Sequence, residues 1–385
     1  LILHTDQQRY DSLGCTGNPH IDTPHLDRLA REGTLFTRHA AGNPVCTPSR
    51  CCLMTGRYPP GHGTWANGMA LARREYERVE GGDRWVFPPE DVVPEVPTIA
   101  DRFAKAGYRT ACFGKLHLTP NQAHPSYGYD ECFEAWKRGE KDEWVGPYYG
   151  FQQVELTKGH GETPCFLGPY ARWLKEHHGD VFDRLASESR ENMLPDCDVT
   201  MHPSTVPSEL HHSRWLANRF AAYLEEHVRR HAGEPFLAFV GFPDPHHPIT
   251  PSHDLAALYE DREVLAPVDP EGTKRPLADH LKRVKHFTGE VRKNVRRYTN
   301  AMVQGIDLAV GRIVSALEEQ GILDETVIVF TSDHGDFLCD HALLEKENIC
   351  VEPLLHVPFI LRAPGHALPP AWDRPVSNVD VLPTV

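Results

Sequence analysis

The feature that most constrains the fold is an alternation of short apolar runs with longer stretches that carry apolar residues at helical spacing. This alternation is typical of an α/β chain in which a mostly parallel sheet is covered by helices on both faces. At 385 residues, the chain is long enough for one large domain or two smaller units. The predicted strands are residues 1–5, 108–113, 236–242, 326–331 and 357–361. The predicted helices are residues 23–32, 98–106, 211–231 and 296–320.

Polar residues follow four of the predicted strands directly. Ligands bind at the carboxyl ends of the strands in an open α/β sheet, so we expect these side chains to meet at one edge. The sequence therefore predicts one shared site rather than four separate ones. In chain order the residues are Asp6 and Gln7, Lys115 and His117, Asp244 and His246, and Asp333 and His334.

Composition excludes two classes of partner. The chain has 40 Lys and Arg residues against 54 Asp and Glu residues, a formal net charge of −14, so its surface is expected to repel nucleic acid and anionic membranes. No apolar run approaches the roughly 20 residues needed to cross a bilayer, so no membrane span is predicted. Residues 120–209 show no clear period, and we expect an insertion of loops that shapes a substrate pocket.

Cys46 is predicted to begin a short helix. Pro48 suits the first turn of that helix, and Gly56 suits its end. Free N–H groups and the positive end of the helix dipole favour an anion there, either a thiolate or a tetrahedral oxyanion. A buried structural thiol is the alternative role of an isolated cysteine, and the motif around Cys46 argues against it.

The sequence CTPSR at residues 46–50, followed by TGR at residues 55–57, resembles the signature of the sulfatase family of the alkaline-phosphatase superfamily. A further family motif follows each of the four strands, so the resemblance covers essentially the whole chain. It implies an alkaline-phosphatase-like catalytic domain over residues 1–385, with an insertion at 120–209 and a smaller C-terminal subdomain beyond residue 385. It also implies that a formylglycine-generating enzyme oxidises Cys46 after translation, and that the hydrated aldehyde is the nucleophile.

The resemblance implies one divalent cation held by Asp6, Gln7, Asp333 and His334. Oxygen-rich ligands favour Ca²⁺ or Mg²⁺, and the imidazole leaves Mn²⁺ as an alternative; we expect Ca²⁺. The family often has Asp where this chain has Gln7, and often Asn where it has His334. These departures leave the identity of the metal open.

A sulfate monoester resists attack by water, so a catalyst must place a nucleophile and several cations around its oxygens. The resemblance implies that Arg50 holds the aldehyde hydrate and that Lys115 and Lys346 bind the sulfate. It further implies that His246 protonates the leaving alcohol. His117 then takes the proton of the second hydroxyl, which expels sulfate and restores the aldehyde.

The leading hypothesis is a sulfuric ester hydrolase that acts on a sulfated small molecule or glycan. One alternative keeps the nucleophile but cleaves phosphonate monoesters or phosphodiesters; Lys115 and His117 favour sulfate over it. Another alternative is a non-catalytic binding protein with unmodified Cys46, and the complete set of charged residues argues against it. The oligomeric state is left without a prediction.

The cysteines and the chain ends bear on the cellular compartment. Nine cysteines besides Cys46, none in a C-x-x-C pair, favour a reducing cytoplasm over a secreted or periplasmic location. The chain opens at Leu1 without a Met and stops where a helix starts, so both ends are interpreted as cut and localisation signals as missing.

Overall fold

The computed structural model describes residues 1–73, 96–188, 200–272, 284 and 286–385. No helix among these described residues combines the length and the hydropathy needed to cross a membrane. The strands are β1 Ile2–Thr5, β2 Thr34–Phe36, β3 His39–Ala40, β4 Arg109–Gly114, β5 Gln153–Glu155, β6 Phe236–Gly241, β7 Ile328–Ser332, β8 Phe359–Arg362, β9 Ala371–Trp372 and β10 Val376–Ser377. The α-helices are α1 Pro24–Glu32, α2 Cys46–Thr55, α3 Pro59–His62, α4 Ile99–Lys105, α5 Phe133–Lys137, α6 Pro169–His177, α7 Gly179–Glu188, α8 His212–Arg230, α9 His253–Ala257, α10 Gly289–Glu319, α11 Glu352–Leu355 and α12 Val381–Thr384.

Eight of the described strands form one sheet, in the order β5-β4-β6-β1-β7-β8-β2-β9. The five predicted strands are β1, β4, β6, β7 and β8, and they occupy adjacent positions. Strands β4, β6, β1 and β7 run parallel to one another, whereas β8 is antiparallel to β7. The prediction of a mostly parallel α/β sheet is therefore confirmed.

Both faces of the sheet are buried, because successive residues of a strand point to opposite sides. Leu3 packs into a core that includes residues of α1, α8 and α10. Its neighbour Ile2 packs into a second core that includes residues of α2 and α4. Burial on both sides explains why the strands are apolar throughout and could be recognised in the sequence.

Helix α1 begins where the sequence predicts, but another part of the chain caps it. The Thr23 side chain makes no capping hydrogen bond. Instead, the first-turn N–H groups of His25 and Leu26 donate to the carboxylate of Asp307 on α10, at 3.3 and 2.8 Å. The start of this helix is therefore satisfied by a tertiary contact.

Helix α10 is longer than predicted. It begins at Gly289 instead of residue 296, and the Thr288 hydroxyl caps it by accepting a hydrogen bond from Val291 N at 3.3 Å. Three of the residues between 290 and 293 are charged, so the first turn lacks the apolar spacing that marks the rest of the helix.

The segment 120–209, expected to be insertion and loop, contains regular structure in its described part. It supplies α5, α6 and α7, and β5 extends the sheet beyond β4 in parallel pairing. These elements are between 3 and 10 residues long, too short for a clear hydrophobic period. Residues 189–199 of this segment lie outside the described residues.

Candidate active site

The carboxyl ends of β1, β4, β6 and β7 meet at one edge of the sheet. Thr5 is paired with Ser332, and Gly114 is paired with Gly241. The residues that follow these strands are therefore neighbours, as the sequence predicts. We call this region the sheet edge; it comprises the strand-following residues together with α2.

Two cations and two carboxylates form a buried ion cluster at the sheet edge. Arg50 Nε lies 2.9 Å from Asp333 Oδ2, and Arg50 Nη2 lies 3.2 Å from Asp6 Oδ2. The Lys115 ammonium also contacts the Asp6 carboxylate. Burial alone would raise the pKa of Asp6, but the surrounding cations, Lys115 foremost, hold that pKa well below its usual value. Asp6 is therefore an anion at neutral pH.

Helix α2 brings Cys46 to this ion cluster. Cys46 is the first residue of the helix, and Gly56 ends it in the left-handed conformation with φ of 66°, as the sequence predicts. The Cys46 Sγ lies 3.2 Å from His334 Nε2 and 3.9 Å from Asp6 Oδ1. Because Arg50 follows four residues later, one turn along the same helix, its guanidinium reaches the same carboxylates.

The electrostatic surroundings of Cys46 favour an anion. Burial by itself would raise the pKa of the thiol. The cations Lys346 and Lys115, together with His334, outweigh this effect, so the pKa of Cys46 is lowered. An anionic sulfate ester entering at this position would meet the same positive charges.

The residues predicted to hold a metal fit a divalent cation. Donor atoms of Asp6, Cys46, Asp333 and His334 all lie within 4.8 Å of one another, and all four residues are buried. Two carboxylates and one imidazole form a donor set suited to Ca²⁺, Mg²⁺ or Mn²⁺. A bound cation would contact the same two carboxylates that Arg50 and Lys115 contact.

Gln7, the fourth predicted ligand, contacts Asp333 through its backbone and Lys346 through its amide oxygen. Its backbone has φ of 68°, and its N–H donates to Asp333 Oδ1 at 3.0 Å. The side-chain nitrogen donates to Asp336, which orients the amide. The amide oxygen is then available as a ligand, and here it accepts a hydrogen bond from Lys346 Nζ at 2.7 Å.

Lys346 and His246 form a hydrogen-bonded pair. Lys346 Nζ lies 2.7 Å from His246 Nε2, and His246 Nδ1 contacts the carbonyl oxygen of His247. Burial, His160 and Lys346 lower the pKa of His246 well below its usual value, so the ring is neutral. The Nδ1 nitrogen must carry the proton to donate to the carbonyl, which leaves Nε2 to accept from the ammonium.

His117 lies beside the ion cluster but outside its hydrogen bonds. It follows β4 with φ of 58°, and its buried ring nitrogen Nδ1 makes no hydrogen bond to another described residue. Burial and the nearby Lys115 and Arg50 lower its pKa well below the usual value, so the ring is neutral and can act as a base. Its backbone N–H donates to Glu131 Oε2 at 2.9 Å.

Nine of the ten predicted site residues are thus joined by direct contacts, and His117 alone among them is not. The contacts run from His246 through Lys346 and Gln7 to Asp333, then through Arg50 and Asp6 to Lys115, Cys46 and His334. Their roles remain predictions, because proximity alone does not assign a role.

His160 is a candidate site residue that the sequence analysis missed. Its Nε2 contacts Lys115 Nζ and lies 3.5 Å from Asp6 Oδ2. Its ring stacks on the ring of His246 with 3.6 Å between centroids. The one local signal was its position between Gly159 and Gly161, since a histidine flanked by glycines suits a tight turn beside a ligand.

The segment 120–209 supports the site from a second side. Glu131 accepts hydrogen bonds from the N–H groups of His117 and Leu118 at 2.9 and 2.8 Å. Lys158 is buried beneath the rings of Phe133 and Trp136, and its Nζ donates to the Glu131 carbonyl at 2.8 Å. This segment therefore holds the turn that carries His117.

Comparisons with known proteins identify the family and the fold of this chain. A family model described as Sulfatase matches residues 1–385. An arylsulfatase of Clostridium perfringens is 28% identical, over 100% of this chain and 73% of that protein. A choline-sulfatase of Rhizobium meliloti is 27% identical, over 100% of this chain and 66% of that protein. The crystal structure of a phosphonate monoester hydrolase of Agrobacterium radiobacter matches with a TM-score of 0.72 and 25% identity, over 100% of this chain and 72% of that one. The alkaline-phosphatase-like fold class is confirmed.

Proposed function

Because this chain belongs to the sulfatase family of sulfate-ester hydrolases, we propose that it releases inorganic sulfate through a hydrated formylglycine derived from Cys46. The substrate is a sulfated carbohydrate or a small sulfated alcohol or phenol. The observation that carries the proposal is the placement of Cys46 Sγ against His334 and Asp6, with Lys115 and Arg50 bonded to the same Asp6. This arrangement supplies a nucleophile position surrounded by positive charge.

Sulfate binding is attributed to the cations around Cys46. Lys115 is buried and Lys346 is half-buried, and both lower the pKa of the Cys46 thiol. A divalent cation held by Asp6, Gln7, Asp333 and His334 would polarise a sulfate oxygen, and Ca²⁺ is the ion we propose. Arg50, fixed between Asp6 and Asp333, keeps these two carboxylates in place.

The first step transfers the sulfuryl group to the enzyme. One hydroxyl of the hydrated aldehyde attacks sulfur and gives its proton to the Asp333 carboxylate, while the bond between sulfur and the ester oxygen breaks. The leaving oxygen takes a proton from the Lys346 and His246 pair, in which the ammonium already donates to the ring at 2.7 Å. An alcohol that leaves poorly needs this proton more than an acidic phenol does.

The second step regenerates the aldehyde. Neutral His117 removes the proton of the remaining hydroxyl, the carbon–oxygen double bond forms, and the carbon–oxygen bond to sulfate breaks. Sulfate leaves with the electron pair of that bond. The lowered pKa of His117 keeps its ring neutral, so that one ring nitrogen is free to accept a proton.

Burial of Cys46 bears on how it matures. The residue is 2% exposed in the folded chain, beneath the residues that surround the site. A formylglycine-generating enzyme therefore has to reach Cys46 before the chain has folded. We expect co-expression with such an enzyme to be required for full activity.

Mass spectrometry tests the nucleophile directly. The tryptic peptide of residues 39–50, from protein made in its native host, should carry an aldehyde at position 46. Cys46→Ala should abolish sulfate release without unfolding the protein. Cys51→Ala is the matched control, because Cys51 lies on the same helix but packs in the core. Sulfate release that survives Cys46→Ala would refute the proposal, and an unmodified, inactive native protein would favour the binding-protein alternative.

A second candidate function is hydrolysis of phosphonate monoesters. The TM-score of 0.72 to a phosphonate monoester hydrolase favours it. Parallel assays on an aryl sulfate and an aryl phosphonate monoester separate the two functions. A large preference for the phosphonate would reverse our ranking.

A further inference from the structure

A second group of metal-binding side chains lies outside the residues around Cys46. It consists of His211, His212 and Asp244, whose donor atoms lie within 4.8 Å of one another; we call it the His-His-Asp cluster. His211 and His212 stand at the start of α8, and Asp244 follows β6. All three side chains are buried, with exposed fractions of 8%, 0% and 1%. The proposed sulfatase chemistry uses none of these side chains.

The distances within this cluster do not suit hydrogen bonds. His212 Nε2 lies 3.5 Å from Asp244 Oδ1, and His211 Nδ1 lies 3.7 Å from Asp244 Oδ2. A hydrogen bond from an imidazole to a carboxylate needs roughly 2.7–3.2 Å. Two ligands on a tetrahedral zinc ion, each about 2.1 Å from the metal, are separated by about 3.4 Å. The spacing therefore matches ligands that share an ion better than groups that bond to each other.

Three polar atoms of the cluster lack hydrogen-bond partners among the described residues, whereas His211 Nδ1 accepts a hydrogen bond from Ser213 N at 3.4 Å. Neither ring nitrogen of His212 makes a hydrogen bond to a described residue, and Asp244 Oδ1 makes none either. Buried carboxylates are normally paired with a cation or bound to a metal, because removal from water is costly. A cation at this position would satisfy all three side chains.

The surroundings leave room for a fourth ligand. A cavity of about 10 Å³, the size of one water molecule, is lined by His211, Asp244, Ser208 and Met302 among others. The Ser213 hydroxyl donates to Asp244 Oδ2 at 3.3 Å and so lies next to the carboxylate. A water in this cavity would complete four-fold coordination.

We propose that the His-His-Asp cluster binds one zinc ion. Two imidazoles and one carboxylate are a donor set that zinc prefers, whereas Ca²⁺ prefers oxygen ligands. The ion ties the start of α8 to the turn that carries His246, two residues beyond Asp244. It also braces Asp6, since Asp6 N donates to the Asp244 carbonyl at 3.1 Å. The zinc is a structural ion that positions catalytic groups without touching substrate.

Zinc content and anomalous scattering test the proposal on the full-length chain. Protein stripped of metals is titrated with Zn²⁺ in excess Ca²⁺, so that Ca²⁺ occupies the oxygen-rich site near Cys46. Crystals of the wild-type protein, measured above and below the zinc absorption edge, should show a peak enclosed by His211, His212 and Asp244. This measurement needs no variant, so it stands even where a substitution impairs folding.

A variant pair provides the second readout. His212→Gln should weaken zinc binding by at least about 100-fold, since loss of an outer-sphere partner alone costs 10- to 100-fold. His227→Gln is the matched control, because His227 is a buried histidine of the same helix and lies outside the cluster. Zinc should raise the Tm of the wild-type protein and the control, but not that of His212→Gln. A missing anomalous peak, or equal zinc affinity in all three proteins, would overturn the proposal.

Discussion

The sheet edge and the segment 120–209 both bury a positive charge, but they stabilise it differently. Arg50 at the sheet edge lies between the carboxylates of Asp6 and Asp333. Burial would lower its pKa, yet these two anions raise that pKa above its usual value. Lys158 in the segment lies 4.0 Å from the Glu131 carboxylate and beneath two aromatic rings. Here burial wins and lowers the pKa of Lys158 to about 8.

The difference shows how the two regions are built. Adjacent parallel strands end side by side, so opposite charges placed after them come into direct contact. The segment 120–209 lies beside the centre of the sheet, and its Lys158 contacts a backbone carbonyl and two aromatic rings. We therefore expect the sheet edge to control chemistry and the segment to control positioning, and four substitutions test this division.

Arg50→Met should be the most damaging of the four. Removing one partner of a buried ion pair costs about 3–5 kcal/mol in the free energy of unfolding, because the remaining charges stay buried. We also expect a loss of roughly 1,000-fold in kcat, as for removal of a group that stabilises a developing charge. Sulfate release and urea unfolding measure the two effects.

Arg362→Met is the matched control for Arg50. Arg362 is also buried and bonded to two carboxylates, those of Glu32 and Asp324, but it lies on β8 away from Cys46. It should lose stability while the folded fraction keeps its kcat. Equal kcat losses in the two variants would show that the role of Arg50 is structural only.

His246→Gln should lower kcat by roughly 100- to 10,000-fold for esters of ordinary alcohols, because the variant lacks the ring that passes the Lys346 proton to the leaving oxygen. The loss should shrink for aryl esters with acidic phenols, which leave without a proton. A series of esters with different leaving-group pKa values measures this dependence. His247→Gln should show a smaller loss that does not vary with the leaving group, and the reverse pattern would assign the role to His247.

His160→Ala should lower kcat by roughly 10- to 100-fold, since misplacing a catalytic group by about 1 Å has effects of that size. The ring supports His246 by stacking, so the loss should again be greatest for poor leaving groups. His124→Ala is the control, because His124 is an exposed histidine of the same segment. If His160→Ala shows the same dependence on the leaving group as the wild-type protein, His160 does not position His246.

Lys158→Met should alter the pH dependence of stability more than activity. The folded-state pKa of about 8 lies below the ordinary value of 10.5, so between these values the unfolded chain binds a proton that the folded chain lacks. The unfolding free energy of the wild-type protein should therefore rise with pH, relative to the variant, by about 1.4 kcal/mol per pH unit between pH 8 and 10. Urea unfolding at several pH values measures it; parallel profiles for the two proteins would contradict the expectation.

Much of the fold and of the sheet edge could be predicted because local patterns determine them. Burial on both faces makes β1, β4, β6 and β7 mostly apolar, and the charged and polar residues after them mark the carboxyl ends. The helix that starts at Cys46 follows from Pro48 and Gly56. The predicted start of α10 was wrong, because charged residues occupy the first turn of this helix.

From its residue order alone, this chain specifies a mostly parallel sheet and a common edge for Asp6, Lys115 and Asp333, because strand direction follows from hydrophobic pattern and connection. Packing of the complete chain places His160 on His246, caps α1 with Asp307, and sets His212 beside Asp244. These contacts join residues from 32 to 281 positions apart. No local sequence pattern predicts such pairs, because they depend on how the helices and loops pack against the sheet.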